Sequence, residues 1–301
     1  MIFMPLKQQE LITLVQAALA EDIGRGDMTS LSCLEPFSVK AEIIAKSEGI
    51  LSGLQPALLA FMIVDSANII MPLKKNGDSF KPGDIIIKID GFNQTVFTSE
   101  RVALNFMGHL SGVATLTNKF VRKVAEAGHS GCKIIDTRKT LPALRALQKQ
   151  AVVDGGGDNH RQGLYDMILI KDNHIAATGS ISKAIKLLNE NIETPEFRLQ
   201  FALHKDEIEI EIEISNEKQL KEAIECGAKR LLLDNQSIEN LHKLVSLARN
   251  LSDNVKLEAS GNVSLENVVQ IAATGVDYIS VGALTHSAPT SDFSLKVTDQ
   301  K

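Results

Sequence analysis

The sequence predicts an α/β protein in two parts: a mixed N-terminal domain over residues 1–115, then an incomplete barrel of parallel strands over residues 116–284. Three observations predict it. After Gly128, short β-branched runs alternate with helical stretches, which is the pattern of a parallel sheet flanked by helices. Almost every one of those strands delivers a polar group or a glycine at the same end. KIID leads to Thr137, Arg138 and Lys139; MILI to Lys171; RLLL to Asp234; KLEA to Ser260 and Gly261; YISV to Gly282; and IEIEI carries Glu213. A doubly wound sheet gathers its chemistry at one switch point, whereas a barrel presents it from many strand ends, so the barrel is preferred. Finally, only about six strands are legible against the eight of a closed barrel, which makes this one incomplete.

The elements follow in order. Leu11, Leu14, Val15, Ala18 and Leu19 fall on one helical face, and EDIGRGD breaks that helix. Three β-leaning pieces come next: VKAEIIA from Val39, ANIIM from Ala67, and DIIIKI from Asp84 after the turn signal KPGD. A long helix is expected from Ser99, with Glu100 in its first turn, to about Ala127. Beyond it, SISKAIKLLNE, NEKQLKEAIE, IENLHKLVSLARN and LENVVQIAATG supply the helices between barrel strands. Residues 191–205 lack a pattern and read as an irregular connection. The tail 285–301 is expected to pack back on the first domain.

Net charge is −5, which argues against nucleic acid or an anionic membrane as the main partner. Three scattered cysteines form no CxxC pair and suit a reducing compartment. No basic leader with a cleavage site and no run near the ~18 apolar residues of a membrane span are legible. The expectation is a soluble, cytoplasmic protein. Against this acidic background, residues 136–174 concentrate Arg138, Lys139, His160, Arg161 and Lys171 about the glycines 155–157. Cations interleaved with short apolar runs suit a concave site for a small, multiply anionic ligand. With two Tyr and no Trp, the stacking platform of a nucleic-acid groove is lacking.

Each motif has an ordinary reading beside the functional one. Strict alternation from Glu207 to Ile214 puts Glu209, Glu211 and Glu213 on one face, as on any exposed acidic strand. Inside a barrel the isoleucines meet the helices and the glutamates turn into the lumen. There, at ~6.6 Å spacing, they need cations, and Lys139 and Lys171 are the candidates. Asp234 could merely cap the helix after Asn235; with Glu213 it could share a divalent ion, and hard oxygen ligands favour Mg²⁺ held partly through water. The triple glycine suggests a flexible loop bringing His160 and Arg161 onto a ligand. Lys171 follows an apolar strand at the barrel mouth, which favours a role over simple exposure. For Arg101, on the long helix, a solvated arginine is the default.

The motifs ALAEDIGRGDMTS, ERVALNFMGHLSGVAT, DTRKTLPALR, GGGDNHRQGLYDMILIKDNHI, EIEISN, LLLDN, LEASGNV and VDYISVGALTHSAPTSDFSL resemble, in order and over essentially the whole chain, the quinolinate phosphoribosyltransferase family. The resemblance implies a sandwich-like N-terminal domain, a partial barrel and a homodimer. It also implies a reaction joining quinolinate to phosphoribosyl pyrophosphate, with release of pyrophosphate and CO₂, to give nicotinate mononucleotide for NAD synthesis. It places Arg138, His160 and Arg161 at the quinolinate carboxylates, beside Thr137, and makes Arg101 an arginine lent by the neighbouring subunit. By the same resemblance Lys139 and Lys171 are expected to reach anionic groups of the substrates, Glu213 and Asp234 to bind the ribose hydroxyls and Mg²⁺, and Ser260, Gly261, Asn262, Val281, Gly282 and Ala283 to form turns at the 5-phosphate. Family members often read TRKTTPGLR where this chain has Leu141 and Ala143.

That chemistry explains the residue types. Positive charge builds on the ribose and negative charge on the leaving pyrophosphate, so carboxylates, lysines and a metal ion are complementary. Two adjacent carboxylates suit arginine's planar fork. Alternatives are the paralogue of molybdate-transport operons, a Schiff-base barrel aldolase using Lys171, and a non-catalytic binding protein.

Overall fold

Leucine and valine at four-residue spacing make the first helix one-sided. In α1 (Gln8–Ile23), Leu11, Val15 and Leu19 are buried, while Leu14 and Ala18 face a groove. The computed structural model describes residues 8–201 and 208–300, and these divide into two compact units. The first holds residues 8–118, 140–157 and 284–300, the second residues 119–139, 158–201 and 208–283.

In the first unit, Asp27 caps α2 (Met28–Cys33), its Oδ1 accepting from the Ser30 amide at 3.0 Å. Then follow β1 (Ser38–Ala45), β2 (Gly49–Ile50), α3 (Leu54–Val64), β3 (Ile69–Pro72), β4 (Ser79–Phe80) and β5 (Ile85–Phe92). Along β1 buried and less buried residues alternate, because one sheet face is core. The long helix α4 runs over Asn93–Glu126, six residues earlier than its sequence start. Asn93, fully buried, makes that start: its Oδ1 accepts from the Gln94 amide at 2.8 Å, directly at the end of β5. Ser99 lies inside the helix, donating to the Thr95 carbonyl at 2.7 Å.

The chain then forms β6 (Lys133–Ile135), and α5 (Arg145–Asp154), which belongs to the first unit. Next come β7 (Ile168–Ile170), α6 (Asp172–Thr178), α7 (Ile181–Asn191), α8 (Pro195–Phe201), β8 (Ile210–Ile214), α9 (Glu217–Glu225), β9 (Arg230–Asp234), α10 (Ile238–Leu251), β10 (Lys256–Ser260), α11 (Val268–Ala272), β11 (Tyr278–Ser280) and α12 (Ala283–His286). The six strands pair in the order β6-β11-β10-β9-β8-β7, every pair parallel. β6 and β7 are the two ends, so the barrel is open, as the strand count predicts. The last strand, β12 (Phe293–Gln300), pairs antiparallel with β1, giving a four-stranded sheet of order β12-β1-β5-β3. Gly108 and Gly112 let that tail approach α4: a Cβ on Gly112 would lie 2.1 Å from the Pro289 carbonyl.

Two expectations change. The connection 191–205 contains α8, whose start is set by Thr194 Oγ1 accepting from the Phe197 amide and by Pro195 in the first turn. Its first residue, Asn191, closes α7, while its last, residues 202–205, and Glu207 of the acidic run lie outside the described residues. The segment 140–157, which reads as barrel, groups with the first unit. Its Gly155 is there for contact: a Cβ would meet the Ala114 carbonyl at 2.3 Å, so Gly155, like the buried Gly157, is packed where flexibility is the expectation, while Gly156 is exposed. No helix among the described residues is long and apolar enough to cross a membrane.

Candidate active site

The carboxyl ends of the six parallel strands bring together the residues that the alternation singles out. β6 leads into Thr137, Arg138 and Lys139, and Thr137 Oγ1 accepts from the Lys139 amide at 3.0 Å. Asp136, buried at the end of β6, orders the next segment. Its amide donates to Asp158, and its Oδ1 accepts from the His160 amide at 2.9 Å. The stretch from Asp158 thereby runs beside β6 and delivers His160 and Arg161 to the interior.

Arg161 is buried, its Nη1 donating to the Met167 carbonyl at 3.2 Å. Burial, and then the neighbouring Arg138 guanidinium, lower its pKa; Asp166 and Glu211 oppose that only in part. Arg138 Nε is buried and has no hydrogen-bond partner among the described residues. Two guanidiniums side by side, one with an orphaned donor, are a site for an anion. His160 behaves differently from the cation that the sequence suggests. Its Nδ1 accepts from the Arg161 amide at 2.7 Å, which needs an unprotonated nitrogen, and its Nε2 lies 3.0 Å from Glu211 Oε2.

The acidic groups lie on β8, β9 and β10. Glu213 is half-buried, and its pKa is raised by burial, then by Asp234 and Asp172, with Lys171 the opposing charge. The capping role available to Asp234 is filled by Ser237, which accepts from the Asn240 amide at 3.2 Å. Asp234 Oδ2 instead accepts from Asn235 Nδ2 at 2.6 Å. Lys171 is exposed and precedes α6, its amide donating to His174 Nδ1 at 2.9 Å. At the end of β10 the Asn235 amide donates to the Ser260 carbonyl at 2.8 Å, while Gly261 (φ +100°) and Asn262 (φ +48°) turn the chain back. A side chain at Gly261 would collide with Asn235, its Cβ 2.2 Å from Oδ1. The Val281 amide donates to the Ile135 carbonyl at 2.9 Å, and Gly282 and Ala283 lead into α12. Arg101 is exposed on α4, in the first unit.

Sequence reasoning missed the counter-charge of the lower lumen. Glu211 and Glu209 pair with Arg230, at 3.1 and 2.6 Å, where the reading offered Lys139 and Lys171. Glu258 completes the group, 2.6 Å from Arg230 Nη2. Alternation held the signal: Arg230 shares a strand face with Leu232 and Asp234, and Glu258 with Ser260. His160, Glu211 and Glu258 form a metal-like triad by distance, but both of its carboxylates are already paired with Arg230.

An open parallel barrel with neighbouring guanidiniums and an acidic pair fits an enzyme that acts on a small anionic substrate. The chain belongs to the quinolinate phosphoribosyltransferase family: residues 27–111 match the N-terminal domain of quinolinate phosphoribosyl transferase and residues 113–296 the C-terminal domain. It is 44% identical over 278 residues to a Bacillus subtilis protein named "Probable nicotinate-nucleotide pyrophosphorylase [carboxylating]", covering 92% of this chain and 90% of that one. The chloroplastic nicotinate-nucleotide pyrophosphorylase [carboxylating] of Arabidopsis thaliana is 38% identical, over 96% of this chain and 83% of its own. Among solved structures, the nicotinate-nucleotide pyrophosphorylase from Francisella tularensis superposes with a TM-score of 0.88 at 37% identity, covering 97% of this chain and 98% of that one.

Proposed function

We propose that the chain is a cytoplasmic enzyme that joins quinolinate to phosphoribosyl pyrophosphate, giving nicotinate mononucleotide, pyrophosphate and CO₂ for NAD synthesis. The observation that carries this reading is the pair Arg138 and Arg161. One has a buried, orphaned Nε, and the other has its pKa lowered by burial and by its neighbour. A ligand with two adjacent carboxylates relieves both.

In the reaction the quinolinate ring nitrogen bonds to C1 of the ribose as the bond from C1 to pyrophosphate breaks. The ring nitrogen is then cationic and stabilises the electron pair that stays on the adjacent ring carbon when its bond to the carboxylate breaks and CO₂ leaves, and that carbon takes a proton from water. Glu213 and Asp234 face the ribose, where positive charge grows; Lys139 and Lys171 face the negative charge of the leaving group. The turns at Ser260, Gly261 and Asn262, and at Val281, Gly282 and Ala283, offer backbone donors to the 5-phosphate, and Thr137 borders the quinolinate site. A Mg²⁺ ion suits Glu213 and Asp234: the Glu213 pKa is raised first by burial and then by the nearby Asp234 and Asp172 carboxylates, with Lys171 as the opposing charge. Bound there, partly through water, the ion would neutralise charge on the pyrophosphate. We further read the active form as a homodimer in which Arg101 of one chain reaches the partner's carboxylate site. Arg101 is exposed on α4, beside a groove of about 410 Å³ lined by Leu14, Ala18, Val102, Phe106 and Leu110. No observation favours a Schiff-base role for Lys171, which is exposed beside carboxylates rather than set in an apolar pocket.

The test is quinolinate-dependent release of pyrophosphate and CO₂ from phosphoribosyl pyrophosphate, with nicotinate as the control. Losing one carboxylate leaves a buried guanidinium unpaired, costing on the order of 2–5 kcal/mol. Nicotinate should therefore turn over at least ten times more slowly, and comparable turnover would refute the assignment.

A further inference from the structure

Below the anion site lies a buried charge network that the reaction itself does not call for. Arg230 opens β9 and is 5% exposed, while Glu211 and Glu258 are 0% and 1% exposed. Its three nitrogens reach three carboxylates: Nη1 to Glu209 at 2.6 Å, Nε to Glu211 Oε1 at 3.1 Å and Nη2 to Glu258 Oε2 at 2.6 Å. The guanidinium also stacks on Tyr278, 4.5 Å from the ring centroid. Its plane is thus fixed by three hydrogen bonds and an aromatic face, and the planes of two buried carboxylates are fixed with it.

The network continues upward. Glu211 uses Oε1 for Arg230 and Oε2 for His160 Nε2, at 3.0 Å, and Glu258 Oε2 lies 3.6 Å from the same nitrogen. A carboxylate at Nε2 holds the ring proton there and leaves Nδ1 bare. Nδ1 is the acceptor for the Arg161 amide at 2.7 Å. One chain of contacts therefore runs from Arg230 through Glu211 and the His160 ring to the backbone of Arg161.

We propose that Arg230 is a positioning residue for the quinolinate site: by fixing Glu211 it sets the tautomer and plane of His160, and through that ring the placement of Arg161. The inference rests on the function proposed above. Without the Arg230 guanidinium, Glu211 and Glu258 lose the hydrogen bonds that fix their planes, and Glu211 turns away from His160. Glu211 then no longer selects the Nε2–H form, the Arg161 amide loses its acceptor, and the guanidinium drifts. Glu213 and Asp234, on the ribose side, are left alone.

The experiment compares wild type with Arg230→Lys, which keeps the charge but cannot bridge three carboxylates. Kinetics are read beside ¹⁵N NMR of histidine-labelled protein, with the His160 signals assigned by their loss in His160→Gln. In wild type, Nδ1 should be of the bare, pyridine type and Nε2 of the protonated, pyrrole type. In Arg230→Lys that pattern should be lost or averaged. KM for quinolinate should rise by about tenfold or more, as a loosened substrate contact requires, with KM for phosphoribosyl pyrophosphate unchanged and kcat lowered much less. Should Arg230→Lys not fold, Glu211→Gln carries the same test, since the amide matches the carboxylate in shape and breaks the relay one step later. Unchanged His160 signals and unchanged quinolinate KM in either folded variant would overturn the proposal. A wild-type protein inert towards quinolinate would instead refute the function, while the ring signals still report on the relay.

Discussion

Ala143 occupies the left-handed region, at φ +63°, in the turn that leads into α5. A side chain there costs about 1–2 kcal/mol, of which glycine's greater freedom in the unfolded chain gives back roughly 0.5–1 kcal/mol. Ala143 is exposed, so no packing is lost on removing its methyl group. Ala143→Gly should therefore stabilise the protein by about 0.5–1 kcal/mol, raising Tm in a thermal melt; a lower Tm would contradict the strain account. Glu213 and Asp234 make a second residue-scale case. If they answer charge that develops at the ribose, Glu213→Gln and Asp234→Asn should each lower kcat by about 10²-fold with the fold intact. Steady-state kinetics beside circular dichroism checks this, and near-wild-type activity in both would reduce the pair to a structural feature. At this scale the strand-end positions of Lys171 and Asp234 were legible, because each follows an apolar run in the sequence. For Arg230 and Glu258 alternation gave only the strand face they share with Asp234 and Ser260; that they pair with each other, with Glu211 and with His160 depends on strand neighbours that no local pattern names.

Asp277 shows how single groups tie the elements of the second unit together. It precedes β11, and its Oδ2 accepts from Arg249 Nη2 at 2.7 Å and from the Leu257 amide at 2.8 Å, while Oδ1 takes Lys256 Nζ at 2.9 Å. One carboxylate thus joins the end of α10 to β10 and β11. Burial works against its ionised form, but the bonds from Arg249, the Leu257 amide and Lys256 prevail, and its pKa is lowered. The sign follows: the fold binds this proton less readily than the unfolded chain does. The stabilisation is present above the unfolded value, 3.8, and is lost as pH falls through the lower folded value. Asp277→Asn should cost about 1–3 kcal/mol at neutral pH, with the gap to wild type holding at mildly acid pH and closing below 3.8. Urea titrations across that range would show it, and a gap independent of pH would refute it. Element types were legible wherever period and flanking residues agreed, as in β5, α7 and α10. The misses have physical causes. The start of α4 depends on Asn93, whose buried side chain does what no apolar period announces, and α8 is too short to display one, although Thr194 and Pro195 mark its beginning.

For the whole molecule, the question is whether one chain makes a complete site. Arg101 is carried by the first unit and Lys139 by the second, far apart in sequence, so either one chain supplies both or two chains exchange them. A two-fold dimer in which Arg101 crosses the interface makes a sharp prediction. Arg101→Ala removes an arginine from the partner's site, Lys139→Ala removes a lysine from its own, and each homodimer should be inactive. In a mixed dimer the two lesions fall in the same site. The site formed by the Arg101→Ala chain's own barrel receives an intact Arg101 from its partner and retains Lys139. The other site lacks both groups. Random mixing on refolding makes about half of the dimers mixed, each with one working site of two, so roughly a quarter of wild-type activity should return. Native mass spectrometry would count the mixed dimers, and the pyrophosphate assay would read the recovered rate. If Arg101 acted within its own chain, every site in a mixed dimer would carry one lesion. Well-folded mixed dimers would then stay inactive, and the exchange of Arg101 would be refuted.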